Sequence, residues 1–308
     1  MSTSQFTGIL AAVVTPLTAG GDAVDVPGIA RQVEHILGGG IHGLVPGGST
    51  GEFTTLTVDE RKRSAEAYLD AAAGCVPVVV GTGALSTGET IELSKHAAAA
   101  GAAAVMVVPP FYDAPSFEEL LTHYSAVADA VNVPVMYYNL PGATGVQLTP
   151  EQFGELGRRA GVSSYKDTGG DLPVFTSVQF DHADTIAALN GWDTLTFAAM
   201  AGGAKAGVWG TASVIPRQCV ELYDALAVRG DLEAGRKLWE AIFPICRFLE
   251  SHNYAAAIKT GLELVGVPAG PTRRPVLPLA QPHRDELRGL LAAAGVPVDR
   301  ELAGTPGR

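Results

Sequence analysis

The chain has 308 residues, 47% hydrophobic and 17% charged, with a formal net charge of −11. That composition supports a large core and excludes a disordered chain, and the length suits one large α/β barrel or two ordinary domains. The negative balance, with no run rich in Lys and Arg, argues against a nucleic-acid or anionic-membrane surface, so neither partner is expected.

The opening stretch, MSTSQFTGILAAVVTPL, has no basic region before its apolar run, and a proline closes that run quickly. It is too short to span a bilayer, lacks a signal-peptide layout and reads as a first strand. Seven further apolar runs follow: IHGLVPGG, VPVVVGTG, AAAVMVVPP, VPVMYYNLP, GVSSYKDTGG, TIAALNG and AGVWGTASV. Segments of helical spacing lie between them, for example TVDERKRSAEAYLDAAAG, STGETIELSKHAAAAG and PSFEELLTHYSAVADAV. Continuous apolar strands alternating with helices predict a parallel sheet covered on both faces. Eight such units over about 220 residues predict a closed (β/α)8 TIM barrel, over residues 1–229. An open, doubly wound sheet is the competing arrangement, but no GxGxxG follows the first strand.

From residue 230 the strand signals stop. GDLEAGRKLWEAIFPICRFLE, NYAAAIKTGLELVG and a last segment near HRDELRGLLAAAG predict a helical extension over 230–308, packed on the barrel. Cys75, Cys219 and Cys246 share no CxxC or metal-like spacing, and read as reduced thiols of a cytoplasmic protein.

In such a barrel the active site lies at the C-terminal ends of the strands, so the polar residues there carry the chemistry. The second strand ends in GGSTGE, which sets Ser49 and Thr50 beside Gly48. Glycines leave N–H groups free and a following helix N-terminus favours an anion, such as a small carboxylate. A turn with a Ser or Thr helix cap explains the same letters. The fifth strand ends in YYNLP, and its adjacent tyrosines, Tyr137 and Tyr138, must point to opposite faces, so at most one enters the barrel mouth. A phenol there can move protons; packing with a satisfied hydroxyl is the alternative.

The sixth strand delivers Lys166, followed by Asp167 and Thr168. Of the six lysines, most of the others fall on predicted helix surfaces, and Lys205 precedes the eighth strand at the opposite barrel face. Desolvation at the strand end disfavours the ammonium and yields a neutral amine able to attack a ketone. The alternative is a structural lysine paired with Asp167 or a glutamate. The seventh strand ends in NGWD, with Gly191 and Asp193, and the eighth in WGTAS.

GGSTGE, YNLPGATG and KDTGGD, in that order and spacing, resemble the motifs of the pyruvate-dependent class I aldolases. That family includes N-acetylneuraminate lyase, dihydrodipicolinate synthase and 2-keto-3-deoxygluconate aldolase, and the similarity runs from GILAAVVTPL to RRPVLPLA. The resemblance implies that Lys166 forms an imine with pyruvate and that Tyr138 relays protons. Ser49 and Thr50, with Gly48, resemble the group that holds the pyruvate carboxylate and supports the tyrosine. Tyr112, in PPFYDAP, resembles the tyrosine that in dihydrodipicolinate synthase crosses from a neighbouring subunit, which implies a homotetramer built as a dimer of dimers. No cofactor or metal is implied beyond the lysine imine.

One position departs. Where dihydrodipicolinate synthase carries an arginine on the second substrate's carboxylate, this chain has Ala143, which cannot replace a bidentate clamp. Asp193 matches an aspartate that neuraminate lyases place on substrate hydroxyls, while the next residue, Thr194, stands where they have an acid. Thr168, Gly191 and Asp193 are therefore expected around a hydroxylated chain. The leading expectation is a lyase splitting a 2-keto-3-deoxy sugar acid, or a similar 2-oxo acid, into pyruvate and an aldehyde. The alternatives are condensation of pyruvate with aspartate semialdehyde and a dehydratase working through the same imine. Two other classes are weaker. A metal-dependent aldolase needs clustered ligands, whereas His35, His42, His96, His123, His182, His252 and His283 are scattered; a non-catalytic keto-acid-binding barrel needs neither Lys166 nor Tyr138.

Overall fold

The computed structural model describes residues 6–298. The first half of the barrel runs β1 (Gly8–Ala12), α1 (Val26–Gly38), β2 (Gly43–Val45), α2 (Val58–Ala72), β3 (Val79–Gly81), α3 (Thr87–Ala99), β4 (Ala104–Val107) and α4 (Phe117–Ala130). The second half runs β5 (Val135–Asn139), a single turn α5 (Pro141–Thr144), α6 (Pro150–Ala160), β6 (Val162–Asp167), α7 (Leu172–Asp181), β7 (Ala187–Asn190), α8 (Thr196–Ala201) and β8 (Ala206–Trp209). After α9 (Pro216–Tyr223) come α10 (Leu232–Glu250), α11 (Tyr254–Leu264) and α12 (Gln281–Ala293).

All eight apolar runs contain strands, and every strand pairing is parallel, in the order β2-β1-β8-β7-β6-β5-β4-β3. A parallel bridge between Leu44 and Val78 joins the two ends, so the sheet closes into a TIM barrel. Local chemistry sets the helix starts. Thr57, Ser116 and Thr149 each cap a helix whose third residue, Glu60, Glu119 or Gln152, reaches back to the cap's N–H. Such reciprocal boxes satisfy amides that the helix itself leaves unpaired.

Side chains alternate across each strand, which splits the core in two. Leu10, Val45, Val79, Met106, Met136 and Val208 fill the barrel. Tyr137, Tyr165, Phe153 and Tyr124 pack between sheet and helices, with successive ring centroids 4.5–5.8 Å apart from Tyr124 through Tyr137 and Phe153 to Tyr165. The C-terminal helices join the outer core through buried Phe248, Leu249, Leu287 and Leu291. Among the described residues no helix is long and apolar enough to cross a membrane.

Candidate active site

The register between β5 and β6 builds the centre of the site. Tyr138 and Lys166 are Cα partners across that pair, so period-two alternation turns both side chains into the barrel mouth, side by side. Lys166 Nζ lies 4.1 Å from the centroid of the Tyr138 ring, and both residues are buried. The adjacent Tyr137 faces outward into the aromatic stack, as the alternation requires. Asp167 is not the lysine's partner. Its Oδ1 accepts from Asn139 Nδ2 at 2.7 Å and from the Gly169 amide at 3.0 Å, which pins the turn after β6. Among the described residues Lys166 joins no ion pair.

A cavity of about 230 Å³ opens at this end of the barrel, lined among others by Ser49, Thr50, Tyr138, Lys166, Thr168 and Gly191. Ser49 Oγ stands 3.4 Å from the Tyr138 hydroxyl. Burial pushes the Tyr138 phenol up, but the Lys166 charge and hydrogen bonds from Ser49, Lys166 and Thr168 outweigh it and leave its pKa below the ordinary tyrosine value. A proton therefore leaves this phenol more readily than an ordinary one. Gly191 is a matter of space: a Cβ there would come within 2.7 Å of Lys166 Cγ and Thr168 Oγ1.

The predicted residues do not all converge. Ser49, rather than Thr50, meets the Tyr138 hydroxyl, although both line the cavity. Gly48 is buried beside Met106 and does not line it. No α-helix opens directly behind GGSTGE. Residues 48–52 form turns closed by Gly51 N–H to Gly48 O and Glu52 N–H to Ser49 O, a short 3-10 turn follows at Phe53–Thr55, and α2 starts only at Val58. The loop thus brings Ser49 and Thr50 to the cavity without a helix terminus directly behind them. Ala143 is exposed on α5 and Tyr112 is 87% exposed; neither lines the cavity.

Asp193 reaches the cavity but is already engaged. Its Oδ2 accepts from the Thr211 amide at 3.1 Å, from Thr211 Oγ1 at 2.5 Å and from the Tyr254 hydroxyl. Burial raises its pKa against those bonds. The expectation that Asp193 offers a free acceptor to substrate hydroxyls is corrected to this extent: one of its oxygens is spent on holding the turn after β8 and the start of α11 to the site.

Several contributors were not foreseen. Glu250, the last residue of α10, and Tyr254, the first of α11, both line the cavity, so the C-terminal helices help to build the site. Lys259, expected on a helix surface, is buried, with Nζ 2.6 Å from Glu52 Oε1 and 2.7 Å from Pro271 O. A lysine directly after the apolar YAAAI was the available signal, since a charge among such neighbours asks for a buried partner. Among the described residues no three His, Cys, Asp or Glu side chains are grouped to hold a metal.

A profile of the Dihydrodipicolinate synthetase family matches residues 5–294. The 4-hydroxy-tetrahydrodipicolinate synthases of Methanospirillum hungatei and Thermomicrobium roseum are 33% and 36% identical to this chain, over 94% and 97% of it and 99% and 97% of their own lengths. Among solved structures, YagE, a prophage protein of the dihydrodipicolinic acid synthase family from E. coli K12 in complex with pyruvate, superposes with a TM-score of 0.90 at 31% identity, over 95% of this chain and 100% of that one. The chloride-inhibited dihydrodipicolinate synthase from Acinetobacter baumannii, complexed with pyruvate, gives 0.89 at 31%, over 94% and 99%. With the barrel, the buried lysine at the end of β6 and a match over nearly the whole sequence, this chain belongs to the dihydrodipicolinate synthetase family of pyruvate-dependent class I aldolases.

Proposed function

We propose that the enzyme joins pyruvate to Lys166 as an imine and uses it to make or break a carbon–carbon bond to an aldehyde. The observation that carries this reading is Lys166 itself, buried against the Tyr138 phenol and, among the described residues, in no ion pair. Nζ attacks C2 of pyruvate, and the carbinolamine loses its hydroxyl as water when Tyr138 supplies a proton. Loss of a C3 proton gives the enamine, whose C3 attacks the aldehyde carbon; the new alkoxide takes a proton, and water then releases the product and frees Lys166. Cleavage is the same sequence reversed. The Ser49 and Thr50 loop suits the pyruvate carboxylate.

The aldehyde is read in two ways. The curated relatives above carry the name 4-hydroxy-tetrahydrodipicolinate synthase, which supports condensation with aspartate semialdehyde better than cleavage of a sugar acid. The sugar-acid reading keeps one observation in its favour: the cavity lining holds two acids, Asp193 and Glu250, and no cation besides Lys166, so a second carboxylate finds no clamp there. Free Cys75, Cys219 and Cys246 suit a reducing cytoplasm.

Borohydride added with pyruvate should inactivate the enzyme and leave a reduced adduct on Lys166, and Lys166→Ala should be inactive. An adduct on another lysine, such as Lys259, would overturn the mechanism. Specificity constants for pyruvate with aspartate semialdehyde and for cleavage of 2-keto-3-deoxy sugar acids, measured side by side, decide the aldehyde.

A further inference from the structure

The carboxylate of Glu250 sits where stability does not call for one. It ends α10, where the helix dipole disfavours a negative charge. Burial and the neighbouring Asp193 both raise its pKa, against the hydrogen bonds from the Thr194 and Asp193 backbone and the Thr194 hydroxyl. Yet it is held firmly. Glu250 Oε1 accepts from the Thr194 amide at 2.9 Å and Oε2 from Thr194 Oγ1 at 2.8 Å. Thr194 Oγ1 in turn accepts from Trp192 Nε1 at 3.0 Å, so the loop after β7 fixes the acid in one orientation. Each carboxylate oxygen has a further acceptor site, and Glu250, half-buried, is part of the same cavity wall as Lys166. A fixed, disfavoured charge facing a reaction cavity is a mark of a functional group.

Such an acceptor takes a donor. A carboxylated aldehyde meets repulsion from Glu250 and Asp193, and no lining cation except Lys166, which the pyruvate imine occupies. An amino-acid semialdehyde brings its carboxylate with its ammonium. A neutral hydroxyl brings only a proton to share. We propose that Glu250 is a specificity-determining residue that accepts a hydrogen bond from a hydroxyl of the aldehyde, so that the cavity selects hydroxylated over unsubstituted and carboxylated aldehydes. This rests on the pyruvate-imine reading and supplies the substrate class of the second half-reaction. Thr194 acts through Glu250, as a positioning residue.

The test uses the full chain at saturating pyruvate and compares kcat/KM for glyceraldehyde and for propanal, which lacks both hydroxyls. The wild type should prefer glyceraldehyde. In Glu250→Gln that preference should fall by about 10- to 100-fold, the range for a hydrogen bond to a charged group, mainly through a higher KM for glyceraldehyde. Glu250→Ala covers the case in which the amide still accepts. Turnover of aspartate semialdehyde should rise in both variants as the repelling charge is lost. The adduct trapped by borohydride with pyruvate shows separately whether each protein is folded and forms the imine. No adduct in the wild type would sink the imine reading. A normal adduct with an unchanged glyceraldehyde-to-propanal ratio in both variants would overturn the role of Glu250.

Discussion

Breaking the pair between Glu52 and Lys259 should loosen the loop that carries Ser49 and Thr50. Glu52 lies in the left-handed region, φ 55°, where a residue with a Cβ stays only if its surroundings hold it. Those surroundings are explicit. Lys259 Nζ sits 2.6 Å from Oε1 with both side chains 4% exposed, the Arg273 amide donates to Oε2 at 2.8 Å, and Thr15 Oγ1 donates to Gly51 O at 2.8 Å. Removing one member of a buried ion pair costs about 3–5 kcal/mol, because the other charge is left desolvated. In Lys259→Met the remaining Arg273 amide still serves Glu52, which places the cost near the lower end, about 3 kcal/mol, or about 10²-fold in the unfolding equilibrium. Glu52→Gln should cost a similar amount, since it strands the Lys259 ammonium with only Pro271 O.

The double variant, Glu52→Gln with Lys259→Met, leaves neither charge and should be less destabilised than the sum of the singles by about 2 kcal/mol. Urea unfolding midpoints of the four proteins, at one protein concentration, complete the cycle. The rate of adduct formation at low pyruvate reports the loop, and should fall in both single variants. Strict additivity, or a Lys259→Met midpoint equal to wild type, would show that the pair holds nothing.

Further outcomes follow from Tyr138 and Tyr112. Tyr138→Phe should lower turnover by about 10²- to 10⁴-fold with a smaller effect on pyruvate affinity, and a near-normal turnover would reduce the phenol to packing. The phenol donates its proton only below its pKa, which lies under the ordinary 10.0, so wild-type turnover should fall along an alkaline limb below pH 10 that is absent in the variant. Tyr112 is 87% exposed, and we expect a neighbouring copy to cover it in a homotetramer. Light scattering that finds a fully active monomer at assay concentration would contradict that expectation.

The eight strands were legible because burial on both faces of a parallel sheet writes itself as short, continuous apolar runs. The placement of Lys166 and Tyr138 was legible for a related reason. Each stands at the end of such a run, and period-two alternation leaves only one of Tyr137 and Tyr138 to enter the barrel. These are properties of a strand's own residues. Which inward side chain meets which hydroxyl is not such a property. Ser49 and Tyr138 are 89 residues apart, and the loop's turns, not its letters, decide that Ser49 rather than Thr50 faces the phenol. The same holds for Asp193, whose carboxylate looked free until α11 brought Tyr254 onto it. It holds for Glu250 too, carried from the end of α10 to Thr194 across 56 residues of chain. Lys259 carries the point furthest. A lysine on a helix reads as solvated, and only the packing of α11 against the Glu52 turn gives it a buried partner. Periodicity is local and survives in the sequence; the pairing of polar groups is set by where closed barrel and terminal helices meet, and that meeting exists only in three dimensions.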